Sequence, residues 1–288
     1  MLGMKARRLP RVRWGALAVV AVVGFAACQE PAGWRDVPIH GFTPVATHQV
    51  FSLTSDQGPA TVHQPWGSSY VAYTGETILP ARTDAGWTHV GDPDSYDGTL
   101  VYPYQANNGS QGKMFNFVGP FGESVDYVHQ LAPGEEMNNS FATVSPGGQW
   151  FVSGEWDTET RLLVFPMPSN PAAPAPGGNL PLASTIELDH PVQYIQGCDF
   201  QTATSLICSS DDDAKDLLRV DLSAPVNATS VKGTVTSLGH LPQSSTCTGT
   251  FEAEGVDWDD ARQLLRVIVV PPAPCFVNSD EYDYSPSS

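Results

Sequence analysis

The sequence predicts an all-β protein, more specifically a β-propeller of five blades, from three observations. Short runs of β-branched and aromatic residues recur after residue 28, for example at 114–118 and 264–270, and such runs are typical of strands. Turn-forming residues are abundant, with 26 Gly and 25 Pro in 288 residues, whereas no long stretch repeats apolar residues at the spacing of a helix. The third observation is an internal repeat.

Four segments follow one plan: a polar lead, a short strand, a tight turn and an apolar strand. Their apolar strands are spaced by 50, 56 and 58 residues, and repeats of this length with about four strands each are typical of a β-propeller. Residues 35–50 are expected to supply a strand that closes the ring against the last blade. Six blades or a β-sandwich are the alternatives. The segments are residues 89–101, 139–151, 196–207 and 254–265, with the spacing counted from Val101, Phe151, Ile207 and Leu265.

The N-terminus has the layout of a signal peptide. A basic region without acids precedes an apolar run at residues 14–25, which is too short to span a bilayer, since that takes about 20 residues. Phe25-Ala26-Ala27-Cys28 resembles the lipobox of bacterial lipoproteins, although Leu is usual where this chain has Phe25. The resemblance implies cleavage after residue 27 and lipidation of Cys28. The alternative is an ordinary signal peptide in which Cys28 has no role.

Charge narrows the range of partners. Without residues 1–27 the chain keeps nine basic and 31 acidic residues, a formal charge near −22. Such a chain repels phosphate backbones, so nucleic-acid binding is not expected. It also lacks the basic segments that hold proteins flat on anionic lipid. The sequence therefore predicts an exported protein that contacts the membrane or cell envelope only through a lipid on Cys28.

The predicted chain organisation is a signal peptide at 1–27, a lipid-anchored tether at 28–35, one propeller domain at 36–280 and a mobile tail at 281–288. An even number of cysteines follows Cys28, and in an exported chain this indicates two disulfides. We favour Cys198–Cys208 across a hairpin and Cys247–Cys275 between neighbouring strands of the last blade. The spacings match no zinc ligand pair.

Some of these segments resemble blade openings in secreted bacterial β-propellers. Residues 89–94 with Asp97-Gly98-Thr99-Leu100, and residues 252–257 with Leu264-Leu265, are similar to openings in the quinoprotein-dehydrogenase-like and the phytase-like or gluconolactonase-like families. The resemblance extends over about residues 40–280 as a pattern only. In gluconolactonase-like propellers it implies a divalent metal in the central channel, held by carboxylate and Asn side chains.

The repeat places one set of polar residues at the start of the innermost strands. Superposition of the four segments brings His89, Asn139, Gln196 and Glu254 to equivalent positions, with Glu252 and Asp92 close by. Carboxylate and amide oxygens are ligands that Ca²⁺ accepts, so these residues are candidates for a channel metal site. A water-filled polar channel without a ligand is the competing interpretation.

Common catalytic motifs are missing from the sequence. It contains no Gly-x-Ser-x-Gly, no His-Glu-x-x-His and no phosphate-binding glycine loop. The favoured hypothesis is therefore a binding or scaffolding propeller of unknown ligand at the cell envelope. The alternative is a metal-dependent hydrolase or lactonase acting at the channel through Glu254, His89 and Asn139.

Overall fold

A computed structural model describes residues 31–106, 112–136 and 140–287. Strands dominate these residues, and the helices are short connecting turns. The strands are β1 (Phe42–Phe51), β2 (Gly58–His63), β3 (Ser69–Thr74), β4 (His89–Val90), β5 (Asp94–Tyr96), β6 (Thr99–Gln105), β7 (Gly112–Val118), β8 (Ser124–Gln130), β9 (Thr143–Val144), β10 (Trp150–Ser153), β11 (Thr158–Pro166), β12 (Ser184–Gln193), β13 (Ile195–Thr202), β14 (Ser205–Ser210), β15 (Asp216–Leu222), β16 (Val231–His240), β17 (Glu252–Asp259), β18 (Leu264–Val270) and β19 (Asn278–Pro286). The helices are α1 (Ser52–Ser55), α2 (Pro80–Asp84) and two 3₁₀ turns, Trp34–Asp36 and Cys275–Val277.

The described strands form five blades around a central channel. Blade 1 has two strands, β2 and β3. Blade 2 contains β4 to β8, blade 3 contains β9 to β12 and blade 4 contains β13 to β16; β12 and β16 pair in parallel and join blades 3 and 4 into one sheet. Blade 5 has the order β17-β18-β19-β1. The inner strands β2, β5, β9, β13 and β17 contact one another in a closed ring, so the predicted propeller is confirmed.

The sequence repeat corresponds to the first two strands of blades 2 to 5. Val101, Phe151, Ile207 and Leu265 each lie in the second strand of a blade and are buried. The predicted closing strand is β1, which pairs antiparallel with β19. The Asp97-Gly98 turn joins β5 to β6 with φ values of 48° and 77°, the conformation that favours Asp-Gly in a tight hairpin.

Different forces hold the blades together at different interfaces. Alternate side chains of each strand pack against the neighbouring blade, and apolar clusters fill the interfaces from blade 1 to blade 5 in sequence. The interface that closes the ring, between blades 5 and 1, carries ion pairs and hydrogen bonds as well. There Arg266 and Asp257 both contact Thr61, and Glu281 accepts a hydrogen bond from Tyr73.

The two predicted domain boundaries need correction. The tail from residue 281 is not a separate mobile segment, because β19 continues to Pro286 and Tyr282 and Tyr284 are fully buried. Their alternation with Glu281 and Asp283 is a strand pattern. The tether also ends earlier than residue 35, because the indole of Trp34 packs against Tyr282 and Tyr284.

Both favoured disulfide pairings are present. Cys198 and Cys208 are direct cross-strand partners in β13 and β14. Cys247 bonds to Cys275, but it joins the segment before β17 to a 3₁₀ turn after β18, and not two neighbouring strands.

None of the helices in the part of the chain that the structure describes has the length and apolar character that a membrane span requires.

Candidate functional site

The channel has two different mouths, because the inner strands all run in the same direction through the ring. One cavity of about 530 Å³ is lined by the last residues of these strands and by the turns that follow, including His63, Tyr96 and Thr202. We call this end the trailing mouth. The opposite end, where the inner strands begin near His89 and Glu252, is the leading mouth.

A circuit of hydrogen bonds joins all five blades at the trailing mouth. Each bond crosses from one inner strand to the next, so the circuit ties the blades to their neighbours where the strands are closest. In order around the ring, Asp257 accepts from Thr61 N (2.7 Å), Asp199 accepts from Trp258 N (2.6 Å), the Thr143 hydroxyl contacts Asp199 (3.1 Å) and Asp94 (3.3 Å), Asp94 accepts from Val144 N (2.6 Å), and the Ser95 hydroxyl donates to Thr61 O (2.7 Å).

The carboxylates of this circuit hold neighbouring blades together. Burial raises the pKa of Asp94 to about 7, and burial together with the charge of Asp94 raises the pKa of Asp199 well above its usual range. Perturbed carboxyl groups in a cavity are candidates for catalysis. Here, however, each of them accepts a backbone amide of the next blade, so the geometry assigns them to blade cohesion.

Asp92 fills the channel and does not lie at its mouth. Its Oδ2 accepts a hydrogen bond from Val256 N at 3.0 Å, and burial raises the pKa of its carboxyl group well above the usual range. A Cβ atom placed on Gly58, Gly197 or Gly255 would lie 1.8, 2.4 or 2.2 Å from a carboxylate oxygen of Asp92. The glycines of three blades therefore make room for this one side chain.

The other described candidates lie at the leading mouth, at different depths. His89 and Gln196 are half-buried, Glu252 is exposed and Glu254 is buried. Burial lowers the pKa of His89, whereas burial and the charge of Glu252 raise the pKa of Glu254 well above its usual range. Asn139 lies outside the described residues.

The predicted channel metal stays a prediction. Among the described residues, no three His, Cys, Asp or Glu side chains at the leading mouth bring ligand atoms within 4.8 Å of one another. The structure therefore places His89, Glu252 and Glu254 on one side of the ring without assembling them into a preformed three-ligand site.

A cavity of about 560 Å³ opens where the loops of blades 5 and 1 meet at the leading mouth. We call it the rim pocket. One wall is apolar and the other is acidic, and the acidic wall continues towards the channel through Glu254, which lies two residues beyond Glu252 in β17. The apolar wall contains Phe51, Leu53, Val270, Pro271, Pro272, Phe276 and Val277, and the acidic wall contains Asp56, Glu76 and Glu252.

Local structure fixes both walls of the rim pocket. Strand β1 ends at Phe51 and continues directly into the single turn of α1, which places Leu53 and then Asp56 at the pocket. The Cys247–Cys275 disulfide holds the start of the 3₁₀ turn that presents Phe276 on the opposite side.

The acidic wall is short of positive charge. Oδ1 of Asp56 is buried and has no hydrogen-bond partner in the part of the chain that the structure describes, and burial together with the charge of Glu76 raises the pKa of Asp56 to about 7. Burial and then the charge of Asp211 raise the pKa of Glu252. The nearby ammonium group of Lys215 already contacts Asp211 at 3.0 Å and donates to two backbone carbonyls.

Sequence reasoning found Glu252 but missed the rest of the rim pocket. Asp56 and Glu76 belong to blade 1, whose two strands do not match the repeat, so superposition of repeats could not bring them to the channel. The available signal was the apolar pair Phe276-Val277 directly after Cys275, in a loop where polar residues are expected.

Together, the fold and the channel define the class of this protein as a five-bladed β-propeller. No protein-family model matches the sequence, and no curated protein matches it either. The three solved structures that follow, which the chain resembles, share 13% sequence identity or less with it and have TM-scores below 0.5.

Three such structures illustrate the range of similar chains. The β-propeller domain of Cps50 (Swd1) from Myceliophteria thermophila is 13% identical with a TM-score of 0.35, over 75% of this chain and 60% of that chain. The GH43_1 enzyme from Xanthomonas citri is 10% identical with a TM-score of 0.47, over 88% and 91%. The arabinanase Arb43A from Bacillus subtilis is 9% identical with a TM-score of 0.35, over 86% and 94%.

Proposed function

We propose that this chain is an exported, lipid-anchored binding propeller whose rim pocket takes an organic cation with an apolar body. The observation that carries the proposal is the pairing, in one cavity of about 560 Å³, of exposed apolar side chains with a buried carboxylate, that of Asp56, whose Oδ1 has no hydrogen-bond partner among the described residues. A concave apolar site with a few convergent polar groups of shifted pKa is the usual form of a small-molecule site.

The apolar wall of the rim pocket exposes several large side chains. Its large side chains are about half exposed: 49% for Phe51, 54% for Leu53, 52% for Phe276 and 55% for Val277. Apolar side chains gathered in one concave surface mark a binding site more often than isolated ones do. A bound apolar group would remove this surface from water and gain about 25 cal/mol per Å².

The acidic wall of the rim pocket contains a buried carboxylate, that of Asp56. Asp56 is only 6% exposed, and a buried carboxylate without a neutralising charge costs stability. An ammonium or guanidinium group beside Asp56 and Glu252 would provide the missing charge and the missing hydrogen-bond donor. The ligand class is therefore an amine or guanidine attached to an aliphatic or aromatic body.

The rim pocket should distinguish a cationic ligand from a neutral one with the same apolar body. 4-Phenylbutylamine should bind to the purified protein by isothermal titration calorimetry at least about tenfold more tightly than 4-phenylbutanol, because a charge-assisted hydrogen bond to a buried carboxylate contributes about 1.5–3 kcal/mol. Asp56→Asn should remove this preference. Asp36→Asn, a change at an exposed carboxylate outside the pocket, should keep it.

The apolar wall has its own matched pair of variants. Phe276→Ser should weaken binding of both probes, whereas Phe121→Ser, at an 83% exposed side chain outside the pocket, should change neither. Equal affinity for the amine and the alcohol in the wild-type protein would contradict the charge argument. Normal binding by Phe276→Ser would contradict the placement of the ligand.

The membrane anchor is tested separately at Cys28. The protein expressed with its own leader should partition into the detergent phase of a Triton X-114 extraction, because a lipid is attached at the proposed lipobox Phe25-Ala26-Ala27-Cys28. Cys28→Ser should move it to the aqueous phase or leave the leader uncleaved. Equal partitioning of the two proteins would show that Cys28 carries no lipid.

A further inference from the structure

The outer strands of blade 5 bring a histidine and two carboxylates together where the chain closes on itself. His48 in β1 is the direct cross-strand partner of Glu281 in β19. Asp283 lies two residues beyond Glu281 in the same strand, so the two acids point to the same face. This face adjoins blade 1, because Tyr73 of β3 donates a hydrogen bond to Glu281 at 2.8 Å.

The three side chains have the spacing of a metal site. One ligand atom from each of His48, Glu281 and Asp283 lies within 4.8 Å of the others. Nε2 of His48 is 3.3 Å from Oδ2 of Asp283. The histidine side chain is 57% exposed and the Asp283 side chain is 9% exposed, so the group has an acidic floor and an opening to solvent.

The buried carboxylate of Asp283 has one oxygen without a partner in the described part of the chain, and a bound cation would contact that oxygen. Oδ1 of Asp283 is buried and accepts no hydrogen bond in the structure. Arg266 in β18 is the cross-strand partner of Asp283, and its charge acts on that carboxylate. Among the described residues, however, the ion pairs of Arg266 are with Asp257 at 2.5 Å and Asp259 at 3.9 Å, and Asp283 pairs with the exposed imidazole of His48.

We propose that His48, Glu281 and Asp283 bind one divalent transition-metal ion of the Zn²⁺ type, with water in the remaining position. One imidazole and two carboxylates are a donor set that suits zinc better than calcium, which takes six to eight oxygen ligands. Because the ligands come from the first and last strands of the propeller, the ion acts as a clamp on ring closure. This site is independent of the rim pocket.

The test uses full-length protein without a histidine tag, treated with EDTA and dialysed. Zn²⁺ titrated by calorimetry should bind at one equivalent and raise the melting temperature, since a ligand that binds only the folded state stabilises it. His48→Ala and Asp283→Asn should each weaken Zn²⁺ binding at least about tenfold, because loss of even an outer partner of a metal ligand costs about 10- to 100-fold.

The matched control is His190→Ala. His190 also contacts an aspartate, Asp189, at 2.9 Å on the surface, but no second carboxylate of the described residues joins them in such a group. It should leave the affinity for Zn²⁺ unchanged. The proposal is overturned if the wild-type protein shows no one-equivalent Zn²⁺ binding, if Ca²⁺ binds more tightly than Zn²⁺, or if His48→Ala and Asp283→Asn both bind as the wild type does.

Discussion

Gly255→Ala should lower the free energy of unfolding by about 3 kcal/mol, at the upper end of the usual cost of overpacking a core. The new Cβ would lie 2.2 Å from Oδ1 of Asp92 and 2.5 Å from the Cα of Gly58. The second contact is with backbone, so no side-chain rotation relieves it. The inner strands β2 and β17 and the segment around Asp92 before β5 must move apart to accommodate one methyl group.

Urea denaturation followed by tryptophan fluorescence measures this loss. Gly119→Ala is the control, because the three atoms nearest to its Cβ all belong to the side chain of Glu123, the first at 2.2 Å, and Glu123 is exposed and can rotate away. The control should cost less than about 1 kcal/mol. A Gly255→Ala protein as stable as the control would mean that the inner strands do not pack around Asp92 as described.

Asp257→Ala should destabilise the protein by about 3–5 kcal/mol, the usual cost of removing one partner from a buried ion pair. The carboxylate contacts Arg266 at 2.5 Å and accepts hydrogen bonds from the amide and the hydroxyl of Thr61, both at 2.7 Å. Its removal leaves a buried guanidinium whose nearest carboxylate contact is the more distant Asp259, beside the uncharged hydroxyl of Thr61, and breaks the circuit between blades 5 and 1.

Asp260→Ala is the control for this change. Asp260 lies three residues further along the chain and is exposed, and its side chain accepts a hydrogen bond from exposed Gln263 at 3.0 Å. Its loss should change the free energy of unfolding by less than about 0.5 kcal/mol, as surface substitutions usually do. If Asp257→Ala matched this control, the circuit at the trailing mouth would not hold the blades together.

The repeat in the sequence predicted much of the fold because it depends on local order. A polar lead, a turn such as Asp97-Gly98 and an apolar strand recur at nearly constant spacing, and each blade is built from contiguous residues. The pairing Cys198–Cys208 follows from the same hairpin logic, since the two residues flank a short turn. Local pattern therefore located blades 2 to 5 and the closing strand.

The candidate site was harder to predict because it depends on contacts between distant parts of the chain. Blade 1 is two strands long and breaks the repeat, so Asp56 could not be aligned with Glu252. The packing of Gly58 and Gly255 around Asp92 joins three blades, and no spacing rule reveals it. The buried pair Tyr282 and Tyr284 was overlooked because chain ends are usually mobile.

The pH dependence of cation binding tests the central claim, that Asp56 and its apolar surroundings form a binding site. Burial and Glu76 raise the pKa of Asp56 from 3.8 to about 7, and a cation binds the ionised carboxylate. The amine probe stays protonated well above this range, since alkylammonium groups titrate near 10. Its affinity for the wild-type protein should therefore rise about tenfold from pH 6 to pH 8.

A change in the stability of the fold with pH cannot explain a rise in affinity for the amine from pH 6 to pH 8. A carboxyl pKa raised in the folded state reduces stability as the pH rises from 3.8 to about 7, which is the opposite direction to the expected gain in binding. Calorimetric titration of 4-phenylbutylamine at pH 6, 7 and 8 is therefore the decisive measurement. The account predicts a tenfold rise for the wild type and a nearly flat profile for Asp56→Asn; identical profiles for the two proteins would contradict it.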